Sequence, residues 1–265
     1  MDFFGIVKAC LAVGLTGLVI GVLLGFASRI FAVKTDEKEE KIRSLLPGNN
    51  CGGCGYAGCD GLAAAIAKGE APVNGCPVGG EAVAAQIGDI MGTSADTVKM
   101  VAFVKCHGDC DNASNKYEYT GNISCREAAY VTGAGPKSCN YGCMGLGSCV
   151  NACQFDAIHI VNGVAVVDKE KCVACGKCVN ICPKNLIELI PYRSHYVVAC
   201  NSNDKGVDVK KACKTGCIGC TLCTKDCPTD AVKVTNFLAE INQDLCCGCG
   251  LCADKCPQKI IQQIR

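Results

Sequence analysis

The hydrophobic pattern divides the chain into one long apolar run and many short segments. Residues Ala9 to Ser28 carry no charge and are rich in Leu, Val, Ile and Gly. A helix of about 20 residues spans the hydrocarbon core of a bilayer. A secretory signal peptide is the competing interpretation, since Lys8 precedes the run, but the run exceeds a typical signal core and no cleavage site closes it. We therefore predict an uncleaved anchor over residues 1–33.

A charged segment follows the anchor. Residues 34–44 predict a helical stalk, because Glu37 and Lys41 stand four residues apart and form a favourable pair on a helix. Basic residues are more numerous after the apolar run, at Arg29, Lys34, Lys38 and Lys41, than before it, at Lys8. This bias predicts a single pass through the inner (plasma) membrane, with the remaining domains in the cytoplasm.

The rest of the chain alternates helical and extended patterns. Residues 62–68 and the alanine-rich residues 80–91 predict helices. Residues 158–167 predict a β-hairpin, because Asn162-Gly163 is a type I′ turn signal between two apolar strands. Residues 232–241 predict a second hairpin with a longer connection. The expected fold class is α+β.

Cysteine usage changes the picture, because the chain has 27 cysteines in 265 residues. Twelve of them fall into three complete Cys-x2-Cys-x2-Cys-x3-Cys runs, the spacing that wraps a [4Fe-4S] cubane. Disulfides suit small secreted domains with less regular spacing. The three complete runs are Cys172, Cys175, Cys178, Cys182; Cys217, Cys220, Cys223, Cys227; and Cys246, Cys249, Cys252, Cys256.

The fourth cysteine of each run is expected to cross over. In two-cluster ferredoxins the cysteine before proline ligates the neighbouring cluster. The crossed pattern predicts three ligand sets: Cys217, Cys220, Cys223 with Cys256; Cys246, Cys249, Cys252 with Cys227; and Cys172, Cys175, Cys178 with Cys153.

A fourth set lacks one ligand of the pattern. Cys143, Cys149 and Cys153 align with Cys217, Cys223 and Cys227, but Leu146 stands where Cys220 would be. Cys139 is the nearest replacement, because flanking glycines make the loop pliable. This predicts a cluster held by Cys139, Cys143, Cys149 and Cys182. A cubane with three protein thiolates is the alternative.

A fifth set lies in a glycine-rich unit over residues 45–100. It comprises Cys51, Cys54, Cys59 and Cys76. Glycines allow close backbone approach to a cluster and direct N–H groups at sulfur. Four cysteines also suit structural zinc. The Cys-x4-Cys step and the glycine density favour iron, so we expect at least five [4Fe-4S] clusters.

Seven cysteines have no place in these sets: Cys10, Cys106, Cys110, Cys125, Cys200, Cys213 and Cys247. A sixth site from Cys106, Cys110 and Cys125 with Cys200 or Cys213 stays open, because Val104-Lys105-Cys106 and Val198-Ala199-Cys200 precede the two repeated units equivalently. Buried free thiols are the alternative.

Other chemistry is absent from the sequence. No strand-Gly-x-Gly-x-x-Gly-helix unit for a dinucleotide occurs, and no Ser/His/Asp arrangement is present. Aromatic residues make up 5% of the chain and tryptophan is missing. The apolar cores are therefore modest, and we expect the clusters to cross-link domains that are largely unfolded without them.

The order of these features resembles the RnfB family of the Rnf complexes. The resemblance is most specific at Leu45-Leu46-Pro47-Gly48-Asn49-Asn50-Cys51-Gly52-Gly53-Cys54-Gly55-Tyr56-Ala57-Gly58-Cys59 and Asn74-Gly75-Cys76-Pro77, and it covers essentially the whole chain. It implies an electron carrier in a membrane complex that oxidises reduced ferredoxin, reduces NAD+ and exports Na+ or H+. The implied partners are reduced ferredoxin and the membrane-embedded and flavin-bearing subunits, with no nucleic acid.

Five regions are expected along the chain. They are an anchor helix (1–33), a charged stalk (34–44), a four-cysteine [4Fe-4S] domain (45–100) and two ferredoxin-like units (101–198 and 199–265). An electron-transfer subunit of a hydrogenase or formate dehydrogenase is the alternative function, although it would not need the unit around Cys51 to Cys76. A non-redox metal-binding protein is a second alternative.

Overall fold

The computed structural model describes residues 3–30, 36–94 and 98–264. Helices and strands are mixed along the chain, as the α+β expectation requires. The helices are α1 (Phe3–Ile30), α2 (Glu37–Leu45), α3 (Cys59–Ala67), α4 (Gly80–Met91), α5 (Cys125–Tyr130), α6 (Ser148–Ala152), α7 (Lys177–Ile181), α8 (Gly206–Ala212), α9 (Leu222–Lys225) and α10 (Leu251–Asp254). The strands are β1 (Met100–Val104), β2 (Ile158–Val161), β3 (Val164–Val167), β4 (Ile187–Pro191), β5 (Tyr196–Val198), β6 (Val232–Thr235), β7 (Leu238–Ile241) and β8 (Ile261–Gln263).

Helix α1 contains the predicted apolar run. Its window Leu11–Ser28 has a mean hydropathy of 2.2 and none of it is buried within the protein. By length and composition α1 can cross a membrane, which confirms a candidate span near the N-terminus. The last part of the expected anchor, residues 31–33, lies outside the described residues.

Helix α2 belongs to the four-cysteine domain. Asp36 caps it by accepting a hydrogen bond from the Lys38 N–H at 3.0 Å. Ile42 is fully buried in a core that includes Leu62, Ile66 and Ile87. The expectation of a separate stalk over residues 34–44 is corrected for its helical part, because Ile42, together with Leu45 and Leu46, packs this charged helix against α3 and α4.

Two repeated units follow. In the first, β1 pairs antiparallel with β4 and β2 pairs with β3; in the second, β5 pairs with β8 and β6 pairs with β7. Strand β5 begins at Tyr196, so the second unit includes residues ahead of the expected boundary at 199. Each unit has its own buried core, and the cysteine side chains form part of both cores.

Both hairpins turn over two residues. Asn162 (φ 46°) and Gly163 (φ 74°) form the turn predicted between β2 and β3. The second hairpin uses Asn236 (φ 48°) and Phe237 (φ 63°), so the expected longer connection is wrong. A bulky residue rarely adopts positive φ, which is why Phe237 carried no turn signal in the sequence. Helix α4 confirms the prediction for residues 80–91.

Candidate metal centres

Centre 1 is the set Cys51, Cys54, Cys59 and Cys76 in the N-terminal domain. Cys59 is the first residue of α3, and its N–H donates to Asn50 Oδ1 at 2.8 Å. The Gly79 N–H donates to Cys76 Sγ at 3.3 Å. Burial raises the pKa of the Cys76 thiol, and the nearby Cys59 and Cys51 raise it further. The loop therefore brings Cys51 and Cys59 near Cys76 and supplies a donor to the Cys76 sulfur.

Centre 2 is the set Cys153, Cys172, Cys175 and Cys178. These four side chains line one cavity of about 20 Å³ in the first repeated unit. The Ala102 N–H donates to Cys172 Sγ at 3.4 Å, and the Ala157 N–H donates to Cys153 Sγ at 3.5 Å. The crossed arrangement inferred from the spacing is thus the one that the folded chain presents, with Cys153 coming from the upstream run.

Centres 4 and 5 repeat this arrangement in the second unit. Centre 4 is the set Cys217, Cys220, Cys223 and Cys256, which lines a cavity of about 20 Å³. Centre 5 is the set Cys246, Cys249, Cys252 and Cys227. Burial raises the pKa of Cys252 to about 11, with further contributions from Cys246, Cys227 and Cys249. Each run therefore delivers its last cysteine to the neighbouring set.

Centre 3 corrects the expectation for Cys139. Cys143, Cys149 and Cys182 share a cavity of about 20 Å³ with Cys125, and Cys139 does not line it. Helix α5 starts at Cys125 with a Ser124–Glu127 capping box, and the Cys125 N–H donates to Ser148 Oγ at 2.9 Å. This contact holds the first turn of α5 against the cluster loop, so Cys125 fills the place that Leu146 leaves without a thiol.

Cys139 lies in a separate cavity of about 30 Å³, together with Cys106, Cys200 and Cys213. Cys110 and Cys125, both considered for a sixth site, do not line this cavity. One sequence signal could have found the set: Cys139 precedes Cys143 by four residues, as Cys213 precedes Cys217. We call Cys106, Cys139, Cys200 and Cys213 the bridging set, because two of them come from each repeated unit.

The electrostatics of these sets suit iron clusters. Burial is the main cause that raises the pKa of Cys149 to about 12 and those of Cys178 and Cys223 to about 11. Neighbouring cysteines raise them further, so the thiolates need a positive partner. Among the described residues, no three His, Cys, Asp or Glu side chains crowd around one point as the ligands of a single ion do. In centres 2, 3 and 4 the four cysteines of each set line one cavity, which fits ligands at the corners of a cubane.

Comparison with known families supports the same chemistry. The Fe-S cluster family model matches residues 46–78, the 4Fe-4S binding domain model matches residues 165–188, and the 4Fe-4S dicluster domain model matches residues 216–261. These matches cover centre 1, the Cys172 run and the two C-terminal runs. Residues 1–45, 79–164, 189–215 and 262–265 lie outside these three matches.

Curated relatives decide the family. The RnfB protein of the ion-translocating oxidoreductase complex of Methanosarcina acetivorans is 45% identical over 248 residues, which cover 93% of this chain and 94% of that protein. The chain belongs to the RnfB family. Another RnfB protein, from the Na+-translocating ferredoxin:NAD+ oxidoreductase complex of Acetobacterium woodii, is 46% identical over 87% of this chain and 70% of its own. The RnfB protein of the proton-translocating ferredoxin:NAD+ oxidoreductase complex of Clostridium ljungdahlii is 40% identical over 86% of this chain and 81% of its own.

Proposed function

We propose that this chain carries electrons within an ion-translocating ferredoxin:NAD+ oxidoreductase. It accepts electrons from reduced ferredoxin and passes them through at least five [4Fe-4S] clusters toward the membrane-embedded and flavin-bearing subunits. The ligands of these five are the cysteines of centres 1 to 5. Family membership supports this role, and it favours the Rnf complex over the alternative of a hydrogenase or formate dehydrogenase subunit.

The observation that carries the proposal is the direct contact between successive cysteine sets. Centres 2 and 3 exchange Cys153 and Cys182, and centres 4 and 5 exchange Cys227 and Cys256. Centre 1 touches centre 2 through Gly53, whose hydrogen faces the backbone of Cys175: a Cβ on Gly53 would lie 2.6 Å from the Cys175 carbonyl oxygen. Short separations are what electron transfer between clusters requires, so the fold suits a relay.

The N–H groups that point at sulfur support a redox role. Hydrogen bonds to cluster sulfurs and their ligands adjust reduction potentials. Gly79 donates to Cys76, Ala102 to Cys172 and Ala157 to Cys153. A potential near the ferredoxin range of about −400 mV lets such clusters accept electrons from ferredoxin without a large loss of driving force.

The membrane role rests on α1. Its apolar side chains are exposed, including Leu11, Leu15, Leu18 and Leu23. We propose that α1 spans the plasma membrane once and that the cysteine sets face the cytoplasm, where thiols stay reduced and available to iron. Protease treatment of sealed spheroplasts and of inverted vesicles tests this topology, since digestion of the cluster domains in spheroplasts would contradict it.

The function is tested on the full-length protein, purified anaerobically in detergent. We expect about 20 or more iron atoms and a matching amount of sulfide per chain. Reduced ferredoxin should produce the EPR signals of reduced cubanes, whereas NADH should produce none because the chain lacks a dinucleotide motif. Zinc in place of iron, about eight irons or fewer, or reduction by NADH alone would contradict the proposal.

A matched pair of variants checks the ligand assignment. Cys220→Ala should lose about four irons, because it removes one thiolate of centre 4. Cys247→Ala serves as the control, since Cys247 is exposed and stands beside the centre 5 ligand Cys246 without belonging to any set. Equal iron loss in both variants would refute the assignment.

A further inference from the structure

The bridging set lies where the two repeated units meet. The segment between β1 and centre 3 leaves the first unit and pairs with the second: the Ser114 N–H donates to the Ala212 carbonyl at 3.0 Å, and the Lys214 N–H donates to the Asn112 carbonyl at 2.8 Å. Ala113 and Cys213 form a β-bridge at this point. These backbone contacts carry Cys106 and Cys139 to the two cysteines of the second unit.

The four cysteines line one cavity. Gly108 has no Cβ, and one built there would lie 3.2 Å from Cys213 Sγ and 3.8 Å from Cys106 Sγ. One built on Gly142 would lie 3.5 Å from Cys139 Sγ. The cavity volume, about 30 Å³, is similar to the volumes of about 20 Å³ at centres 2, 3 and 4. The bridging cavity therefore has the donor set and the size of the other centres.

The two units contribute equivalent pairs of cysteines. Cys106 follows β1 and Cys200 follows β5, the first strands of their units. The Cys143 N–H donates to Cys106 Sγ at 3.3 Å, and the Cys217 N–H donates to Cys200 Sγ at the same distance. A repeated N–H···S contact at both sulfurs is the pattern found at Cys76, Cys153 and Cys172. Free thiols buried for packing alone would not need this repetition.

A buried cation borders the same cavity. Lys137 is 5% exposed, and its ammonium donates to the carbonyl oxygens of Gly108 at 2.6 Å and Gly163 at 2.7 Å. A lone buried charge is costly, but it compensates a neighbouring anion. A cubane with four thiolates carries net negative charge, so Lys137 is suited to this neighbour.

We propose that Cys106, Cys139, Cys200 and Cys213 bind a sixth [4Fe-4S] cluster that joins the two repeated units into one relay. This proposal rests on the proposed function, because the cluster type is taken from the [4Fe-4S] clusters proposed for centres 1 to 5. One electron passes from a reduced cubane to its oxidised neighbour at each step, and no bond is made or broken. Cys143, a centre 3 ligand, touches the bridging set on one side, and Cys217, a centre 4 ligand, touches it on the other.

The cysteine inventory agrees with this assignment. Six sets of four use 24 of the 27 cysteines once each, and only Cys10, Cys110 and Cys247 are left over. The side chain of Cys10 lies outside the described part of the chain. Cys125 thus belongs to centre 3 and Cys139 to the bridging set, so that each of these sets has four cysteines and neither requires a cubane held by three protein thiolates.

The test compares iron and sulfide in the full-length protein and its variants. The unaltered chain should hold about 24 irons and 24 sulfides. The double variant Cys200→Ala/Cys213→Ala should lose about four of each, while Cys110→Ala, the control outside every set, should lose none. About 20 irons in the unaltered chain, with no loss in the double variant, would overturn the sixth cluster and leave the proposed function intact. Zinc or about eight irons in the unaltered chain would overturn the proposed function itself.

A second variant covers the case in which the double variant unfolds. Cys200→Ser keeps a side chain of similar size, and an oxygen ligand should shift the potential and EPR signal of one cluster only. An unchanged redox titration would overturn the proposal.

Freeze-quench EPR adds a readout of the bridge. When reduced ferredoxin supplies electrons to the double variant, the clusters of one unit should be reduced rapidly, whereas those of the other unit should no longer be. Equally rapid reduction of both units would contradict a bridging role.

Discussion

Cys125 lines the cavity of centre 3 although it precedes the other three cysteines of this cavity by 18 residues or more. The loop around Cys143 and Cys149 has leucine at position 146, and a hydrogen bond to Ser148 brings Cys125 to the cavity instead. We predict that Cys125→Ala removes about four irons and one EPR signal. Adding Leu146→Cys to this variant should restore both, because that position holds cysteine in the three complete runs. Loss of the centre 3 signal in Cys139→Ala, but not in Cys125→Ala, would contradict the assignment.

Lys137 makes a second prediction at the residue scale. Lys137→Met removes a positive charge that lies near both Cys106 and Cys143. Reduction of a cluster adds an electron, and a nearby positive charge favours the reduced state. Losing this charge should therefore lower the reduction potentials of the adjacent clusters by tens of millivolts. For one electron, about 60 mV corresponds to ~1.4 kcal/mol. Two carbonyls also lose their donor, which costs about 1–3 kcal/mol each.

Redox titration and thermal unfolding measure these two effects. Lys233→Met is the matched control, because Lys233 is exposed on β6 and solvent screens its charge. A potential that rises in Lys137→Met, or shifts of equal size in both variants, would show that Lys137 does not compensate cluster charge.

At the residue scale, spacing in the sequence predicted which cysteines of centres 2 and 4 line one cavity together, including the one that comes from the neighbouring run. Local loop geometry determines those sets, as for Cys172, Cys175 and Cys178. Spacing failed for Cys139 and Cys125, because their places depend on tertiary contacts made by the segment between β1 and centre 3. In the structure the Ser124–Glu127 capping box fixes the first turn of α5 at Cys125, and the loop against which this turn packs lies further along the sequence.

At the element scale, the loop of centre 1 docks on the loop of centre 2 through a glycine. A Cβ on Gly53 would meet backbone atoms of Cys175, including its Cα at 3.0 Å. We predict that Gly53→Ala weakens this contact by about 1–3 kcal/mol, as overpacking does. Every ligand remains, so the iron content should stay unchanged while electron transfer between centres 1 and 2 slows.

Gly61→Ala is the control for this prediction. A Cβ there makes an ordinary contact of 3.8 Å with Tyr56, within the same domain. Freeze-quench EPR should show slower exchange between the two centres in Gly53→Ala alone. Unchanged kinetics in Gly53→Ala would mean that electrons do not use this contact.

The elements themselves were predictable to different degrees. The hairpin at Asn162-Gly163 and helix α4 follow from local signals, and the structure has both. Helix α2 resembles a solvated helix in its charges, but Ile42 packs into the core of the centre 1 domain. Leu46 is buried in the same core and Leu45 packs against it, but charged residues dominate the sequence of α2, so the tertiary structure is needed to show that α2 is part of this domain.

At the scale of the whole molecule, each of the six sets contacts the next one, and we call this succession of contacts the row. Centre 1 contacts centre 2 through Gly53, centres 2 and 3 each include a cysteine from the other's run, the bridging set touches Cys143 and Cys217, and centres 4 and 5 each include a cysteine from the other's run. The row starts in the domain that follows α1 in sequence. In a relay that follows this order, electron transfer along the whole row requires every contact between successive sets.

The last prediction separates the relay from its anchor. Deleting residues 1–29 removes the exposed apolar side chains of α1 and keeps α2, whose Ile42 is needed by the core of the centre 1 domain. The shortened chain should bind its full iron content and accept electrons from reduced ferredoxin. In membranes it should fail to support ferredoxin-dependent NAD+ reduction, because the clusters are no longer held beside the partner subunits. Deleting residues 1–45 is the matched control, and it should also lose the iron of centre 1. If the chain lacking residues 1–29 reduced NAD+ by itself, the carrier role would be wrong, since the electrons would then reach a nucleotide site on this chain.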